Sequence, residues 1–212
     1  MLNHNGKNVL IFGSSRAGKT TLTRRINKEL GYNIAGVNYY VDAVIKAYPQ
    51  LQIKQHGEIQ CVDDFMHTIA SVTPFLAHSF CAMARNSYAL NGKKFVAEIE
   101  IFDIDKLMPL MDEILKPAGI KKEDAFIFIA LANIATKDEL YNNLKKHDTE
   151  HDWTKNSTDE ELKQFCELHH KDAEGMKWQY EIFKKHNFKI YNTSGNRNQI
   201  FDKIIEDVKF LT

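Results

Sequence analysis

The chain has 212 residues, 43% of them apolar and 26% charged, enough to bury one sizeable core, which excludes a largely disordered polymer. Lysine plus arginine (28) equals aspartate plus glutamate (28), so the formal net charge is zero and bulk electrostatic attraction to nucleic acid or an anionic membrane is not expected. The longest wholly apolar run, Ala125 to Ala132, is far too short to span a bilayer, and the polar stretch Met1 to Lys7 holds no apolar signal core.

Taken in order, Asn8 to Phe12 (NVLIF) is an unbroken apolar run ending at Gly13, as a central parallel strand buried on both faces requires. Thr20 to Leu30 spaces Leu22, Ile26 and Leu30 at helical intervals, and Gly31 stands where a helix C-cap favours glycine. Tyr32 to Val37 is expected as a second strand, Val41 to Tyr48 as a helix stopped by Pro49, and 63–88 as one or two helices with Pro74 at a start or kink. Phe95 to Ile101 reads as a third strand. Asp103 to Lys116 then carries Leu107, Met108, Met111, Ile114 and Leu115 on one helical face. Asp124 to Ala132 is expected as strand four and Phe188 to Tyr191 as strand five. A closing amphipathic helix spans Gln199 to Phe210, with Ile200, Phe201, Ile204, Ile205 and Val208 as its stripe. The alternation implies an α/β fold with parallel strands and helices on both faces. All of 1–212 is one domain, in which the polar, helix-patterned segment 137–185 is an insert with the character of a lid.

The strongest chemical signal is Gly13-Ser14-Ser15-Arg16-Ala17-Gly18-Lys19-Thr20, a full GxxxxGK[ST] match between a strand and a helix. Gly13 and Gly18 let the backbone turn so that successive N–H groups face phosphate oxygens, and the helix N-terminus adds partial positive charge. Lys19 supplies a point charge for the outer phosphates, and the Thr20 hydroxyl is a ligand for Mg²⁺. Arg16 is placed to touch phosphate or fold over the nucleotide, and Thr21 belongs with the nucleotide-binding set. The carboxylate needed near the metal belongs at the end of a strand beside the first. Glu98 is the best candidate, as metal partner or as base toward an acceptor hydroxyl, with Glu100 and Asp103 as competitors.

Around these motifs the chain resembles the P-loop small-molecule kinases of the nucleoside monophosphate kinase and shikimate kinase type. It resembles most closely a little-characterised bacterial group of adenylate-kinase-like proteins. The resemblance is carried by GSSRAGKT, by FVAE at Phe95 to Glu98, by LKKHDTEHDWTKNSTDEEL at Leu144 to Leu162, and by IYNTSGNR at Ile190 to Arg197. It implies a three-layer P-loop NTPase fold with a five-stranded parallel sheet in the order 2-3-1-4-5, and a helical lid after strand four. It further implies an acceptor site among the helices after strands two and three, and the turn Thr193, Ser194, Asn196 beside the adenine. ATP and Mg²⁺ are the cofactors it implies, and a small-molecule acceptor, such as a nucleoside or nucleoside monophosphate, is the partner.

Where relatives often end strand two in aspartate, this chain has Asn38, with Asp42 one turn later; both are acceptor-site candidates. Arg85 joins them as an acceptor-binding or catalytic candidate late in the helical stretch before strand three. The only arginines are Arg16, Arg24, Arg25, Arg85 and Arg197, none in the insert, so Lys145 or Lys146 would supply lid charge. Arg24 and Arg25 read as solvated. His147 and His151 lack a third ligand or an HExxH signature, which favours a polar lid face over zinc, with Trp153 as a packing anchor. The three cysteines, Cys61, Cys81 and Cys166, form no CxxC pair, which fits a reducing cytoplasm. The expected function is ATP-dependent phosphoryl transfer, with Lys19, Glu98 and Arg85 as catalytic candidates. The alternative is an adenine-nucleotide switch or sensor with slow hydrolysis. A guanine-specific switch is disfavoured because NKxD is missing, and no nucleic-acid, membrane or obligate protein partner is deduced.

Overall fold

The sheet is built where the apolar runs demand it. In the computed structural model, which describes residues 7–13, 17–54, 62–89, 92–99, 103–132, 136–146, 157–164, 166–167 and 177–211, five strands form one parallel sheet. They are β1 (Asn8–Gly13), β2 (Asn33–Ala35), β3 (Phe95–Ile99), β4 (Phe126–Ala132) and β5 (Lys189–Asn192), in the order β2-β3-β1-β4-β5. The two central strands, β1 and β4, are buried at every position, as unbroken hydrophobicity predicts for strands covered on both faces. Their N-terminal ends are tied by buried Asn8, whose Nδ2 donates to the Ala125 carbonyl (3.1 Å) while its Oδ1 accepts from the Phe95 N–H (3.1 Å).

Alternate residues of β1 feed two separate cores. Val9 and Ile11 face a cluster with Leu22 and Ile26 of α1 (Lys19–Leu30) and with Phe201, Ile204, Ile205 and Val208 of the last helix. Leu10 and Phe12 face a larger cluster built by α2 (Val37–Ala47), α3 (Val62–Ala89) and α4 (Ile104–Leu115). A short α5 (Lys122–Ala125) leads into β4. Gly31 ends α1 in the left-handed region, φ 73°, and its N–H reaches the Asn27 carbonyl at 3.0 Å.

Several boundaries differ from the sequence expectation. Strand two is only Asn33–Ala35, and Val37 already begins α2, because Val37 and Val44 turn the apolar side of a helix into the core. The stretch before strand three is one helix of 28 residues. Pro74 does not break it: Ala70, whose carbonyl loses its partner, and Pro74 both lie on the exposed face, where water can serve. Strand three is described to Ile99, and 100–102 lie outside the described residues.

The segment expected as a lid divides physically. Helix α6 (Lys137–Lys146) and helical residues 159–164 and 166–167 (α7) share a small cluster of Leu140, Leu144, Leu162 and Cys166. Helix α8 (Lys177–Lys185) belongs to the main core instead: Phe183 packs on Phe12 and Phe188, with ring centroids 6.3 and 4.9 Å away. The chain closes with α9 (Arg197–Leu211). Among the described residues, no helix is long and apolar enough to cross a membrane.

Candidate active site

Helices leave neighbouring strands toward opposite faces of the sheet beside β1: α1, after β1, packs in one core and α4, after β3, in the other. That divergence opens a crevice at the C-terminal ends of β1 and β3, the place where open α/β sheets receive ligands.

The described ends of the glycine-rich segment, Gly13 and Ala17 to Thr20, stand at this edge. At Gly13 φ is 152°, and a Cβ there would stand 2.4 Å from the carbonyl oxygen of Leu131 on β4, so only glycine lets the chain leave the sheet at this point. Ser14, Ser15 and Arg16 lie outside the described residues. Ala17 is fully buried, and Gly18 caps α1 in the left-handed region, φ 93°. Among the described residues no side chain caps this helix start, and no carboxylate stands in its first turn. Its leading N–H groups and the positive end of its dipole are therefore suited to an external anion. Lys19 is buried to 5% exposure, and its Nζ donates to the Gly13 carbonyl at 3.0 Å, holding the ammonium at the end of β1. Exposed Thr21 follows one turn along α1 from Gly18.

Across the crevice, the Thr20 hydroxyl donates to Glu98 Oε2 at 2.7 Å. A hydroxyl and a carboxylate are thereby joined between α1 and β3. Both are hard oxygen donors of the kind Mg²⁺ selects, and they stand beside a loop suited to phosphate, so the donor set fits that ion. Glu100 lies outside the described residues. Asp103 is spent as the N-cap of α4, its Oδ1 accepting from the Lys106 N–H at 3.1 Å.

On the acceptor side, Asn38 is not a strand end but the second residue of α2. With Asp42 it forms an exposed i, i+4 pair at the start of the helix that follows β2. The turn after β5 is anchored to the end of β4: the Thr193 N–H donates to the Ala132 carbonyl at 2.7 Å. Ser194 donates through both its N–H (3.0 Å) and its hydroxyl (2.8 Å) to Asn192 Oδ1, and Asn196 Oδ1 accepts from Gln199 as the cap of α9.

One candidate is placed elsewhere, and a second is held in an ion pair. Arg85 is five residues beyond Phe80, whose ring stacks on Phe95, the first residue of β3. It therefore lies toward the N-terminal edge of the sheet, where its charge acts on Cys81, away from the phosphate loop. Long helix α3 descends from the C-terminal edge to the N-terminal edge at about 1.5 Å per residue, so its last turns cannot share the crevice. Lys145 pairs with Asp159 of α7 and lies over the Tyr141 ring, which raises its pKa through that ion pair; it joins α6 to α7. The side chain of Lys146 and all of His147 to Trp153 lie outside the described residues. Arg25, expected as solvated, bridges Glu29 and Asp202 at 2.7 Å each and so links α1 to α9.

One cation beside Gly18 was not foreseen there. Arg197, the first residue of α9, lies against Gly18. It comes from the far end of the chain, and no sequence spacing signals the contact.

No family model and no curated protein matches the chain. Solved structures do. A sugar kinase from Janibacter sp. HTCC2649 is 13% identical over 98% of both chains, with a TM-score of 0.49. Shikimate kinase from Bacteroides thetaiotaomicron is 12% identical over 97% of both, with a TM-score of 0.48. A protein from Chloroflexus aurantiacus provisionally described as a kinase is 12% identical over 97% of this chain and 99% of its own, with a TM-score of 0.50. At such identities the likeness is one of fold. With the sheet order observed here, it establishes the P-loop α/β fold expected from the resemblance.

Proposed function

We propose that this protein is an ATP-dependent phosphotransferase that moves the γ-phosphoryl group of Mg-ATP to a small-molecule acceptor. The observation that carries this reading is the pairing, across one crevice, of a helix N-terminus without a side-chain cap above buried Lys19 with the Thr20–Glu98 hydrogen bond. The shared fold supports it.

In this reading the N–H groups of Gly18, Lys19 and Thr20 hold phosphate oxygens and Lys19 neutralises charge on the outer phosphates. Thr20 and Glu98 would hold Mg²⁺, which when bound supplies further charge neutralisation at the phosphates. Glu98, held by the Thr20 hydroxyl near the end of β3, would orient the attacking hydroxyl. Asn38 and Asp42, at the start of α2, offer hydrogen bonds to the acceptor, while Ser194 and its turn flank the base. Water must be kept from competing as acceptor, a task for α6 and α7 of the insert.

The test is ADP release from Mg-ATP across a panel of nucleosides, nucleoside monophosphates, sugars, polyols and aminoglycosides, with Lys19→Ala as the blank. One acceptor class should raise the wild-type rate, and Lys19→Ala should abolish it while keeping the wild-type far-UV spectrum. Tight nucleotide binding with a slow rate that no acceptor raises would instead establish a nucleotide-dependent sensor.

A further inference from the structure

Tyr39 is an aromatic ring held in place and left uncovered. It stands in the first turn of α2 and is 81% exposed, yet a Cβ on Gly36, the N-cap of that helix, would lie 2.6 Å from its Cδ2 and 2.8 Å from its Cε2. The ring thus fills the place of the side chain that residue 36 lacks. Backbone conformation does not call for glycine there, since Gly36 is extended with φ −77° and ψ 98°, so the close approach of the ring is what glycine permits.

The strand register fixes the face that the ring takes. Ile34 lies beside Val96 and Ala35 beside Ala97, and one further step sets Gly36 beside Glu98, at the strand spacing of about 4.8 Å. Ala35 and Ala97 face the core of α2, α3 and α4, so the alternate positions Ile34, Gly36 and Glu98 face the α1 side, where Glu98 meets Thr20. The Tyr39 ring therefore flanks Glu98 on that side. Ile34, two residues before Gly36 on the same face, is 48% exposed, so apolar surface continues along edge strand β2. Asp42 neighbours Tyr39 three residues on along the helix surface, an exposed carboxylate able to accept from hydroxyls.

We propose that Tyr39 is the acceptor-binding platform: the face of its ring carries a cyclic, hydroxylated acceptor, a nucleoside or a cyclic sugar, and turns one of its hydroxyls toward Glu98. This rests on the phosphotransferase reading above and names the acceptor class for it. An aromatic ring gains by covering the face of another ring and gives up little side-chain entropy in doing so, whereas an acyclic polyol offers no such face.

The experiment measures ADP release from Mg-ATP with adenosine, uridine, glucose and myo-inositol as ring acceptors and sorbitol as the acyclic one, in wild type, Tyr39→Phe, Tyr39→Ala and Gly36→Ala. At least one ring acceptor should raise the wild-type rate, and its identity separates nucleoside from sugar. Tyr39→Ala should raise KM for that acceptor about tenfold with KM for Mg-ATP unchanged, and Tyr39→Phe should match wild type. Gly36→Ala, whose backbone accepts alanine but whose Cβ displaces the ring, should reproduce the loss and add nothing to it when combined with Tyr39→Ala. An unchanged acceptor KM in Tyr39→Ala or Gly36→Ala, an equal rise in KM for Mg-ATP, or stimulation by sorbitol alone overturns the proposal. A loss shared by Tyr39→Phe also overturns it, since that assigns the role to the hydroxyl. No stimulation by any ring acceptor, in a wild type that binds MgADP by calorimetry, overturns it and leaves the phosphate site standing. Failure of wild type to bind MgADP overturns the phosphotransferase reading itself, and the platform with it.

Discussion

Glycine at position 18 answers to two independent constraints, and both can be tested by one substitution. Its φ of 93° is costly for any residue with a Cβ, and that Cβ would meet the ring of Phe201, which is fully buried and has no free direction in which to move. Gly18→Ala should therefore cost about 2 kcal/mol, a fall in melting temperature of about 4–8 °C for a chain of this size. Ligand-free calorimetry checks it, and a change under one degree would show that the loop relaxes. The loop glycines and Lys19 were legible in the sequence because their geometry is local: a strand, a turn and a helix start are contiguous. Glu98 was legible through its place at the end of an apolar strand. Arg197 was not, because its neighbour Gly18 is remote along the chain. Arg85 was misplaced for a related reason: sequence position late in a helix does not reveal that the helix is long enough to carry it past the sheet.

At the scale of elements, the helices α6 and α7 illustrate how little apolar surface a unit needs when its ends are well capped. Each begins with the same device. The N–H and hydroxyl of Thr136 donate to Glu139 Oε2 at 2.8 and 3.0 Å, and those of Thr158 donate to Glu161 Oε2 at 2.7 and 3.0 Å. Lys137–Glu167 and Lys145–Asp159 pair the two helices at the surface, where ion pairs contribute little, so the caps and the four-residue cluster carry the unit. Thr136→Ala or Thr158→Ala should cost about 1 kcal/mol within this unit. Amide exchange should quicken over 137–146 and 159–164 while the strands keep their protection. Equal acceleration in β1 and β4 would mean that the pair folds as one with the sheet. Helix α8, by contrast, is held by the aromatic group Phe12, Phe183 and Phe188 and should not respond.

At the scale of the whole molecule, a polar cluster at Asp105 joins the end of the insert to the core helices. Asp105 of α4 accepts from Lys185 Nζ at 2.7 Å and lies 2.8 Å from His186 Nε2. Hydrogen bonds from Lys185 and then His186 hold its pKa below the ordinary value of 3.8. A carboxylate with a lowered folded pKa adds stability above the unfolded value and loses it as pH falls through the folded one. The melting temperature of wild type should therefore exceed that of Asp105→Asn at pH 6–7, with the gap closing below about pH 3.8. A gap that persists at about pH 2 would assign the difference to packing instead of charge. Among the described residues, Cys81 and Cys166 are both buried thiols. Burial pushes the Cys81 thiol up to about 12 and raises Cys166 as well.

Chain-local physics made most of the architecture readable in advance. Unbroken apolar runs mark strands covered on both faces, helical spacing marks their crossovers, and a glycine-framed lysine and threonine after the first strand mark a phosphate loop. Where these periodicities are short the boundaries moved: Tyr32 to Val37 holds both a three-residue strand and a helix start, because Val37 is drawn into the core by α2. Tertiary structure alone decided which side chains meet. It sent α1 and α4 to opposite faces so that Thr20 and Glu98 join across a crevice, and it carried Arg85 to the far edge of the sheet. It also gave α8 to the core and laid Arg197 on Gly18, since contacts between distant segments depend on the packing of whole elements and leave no period in the chain.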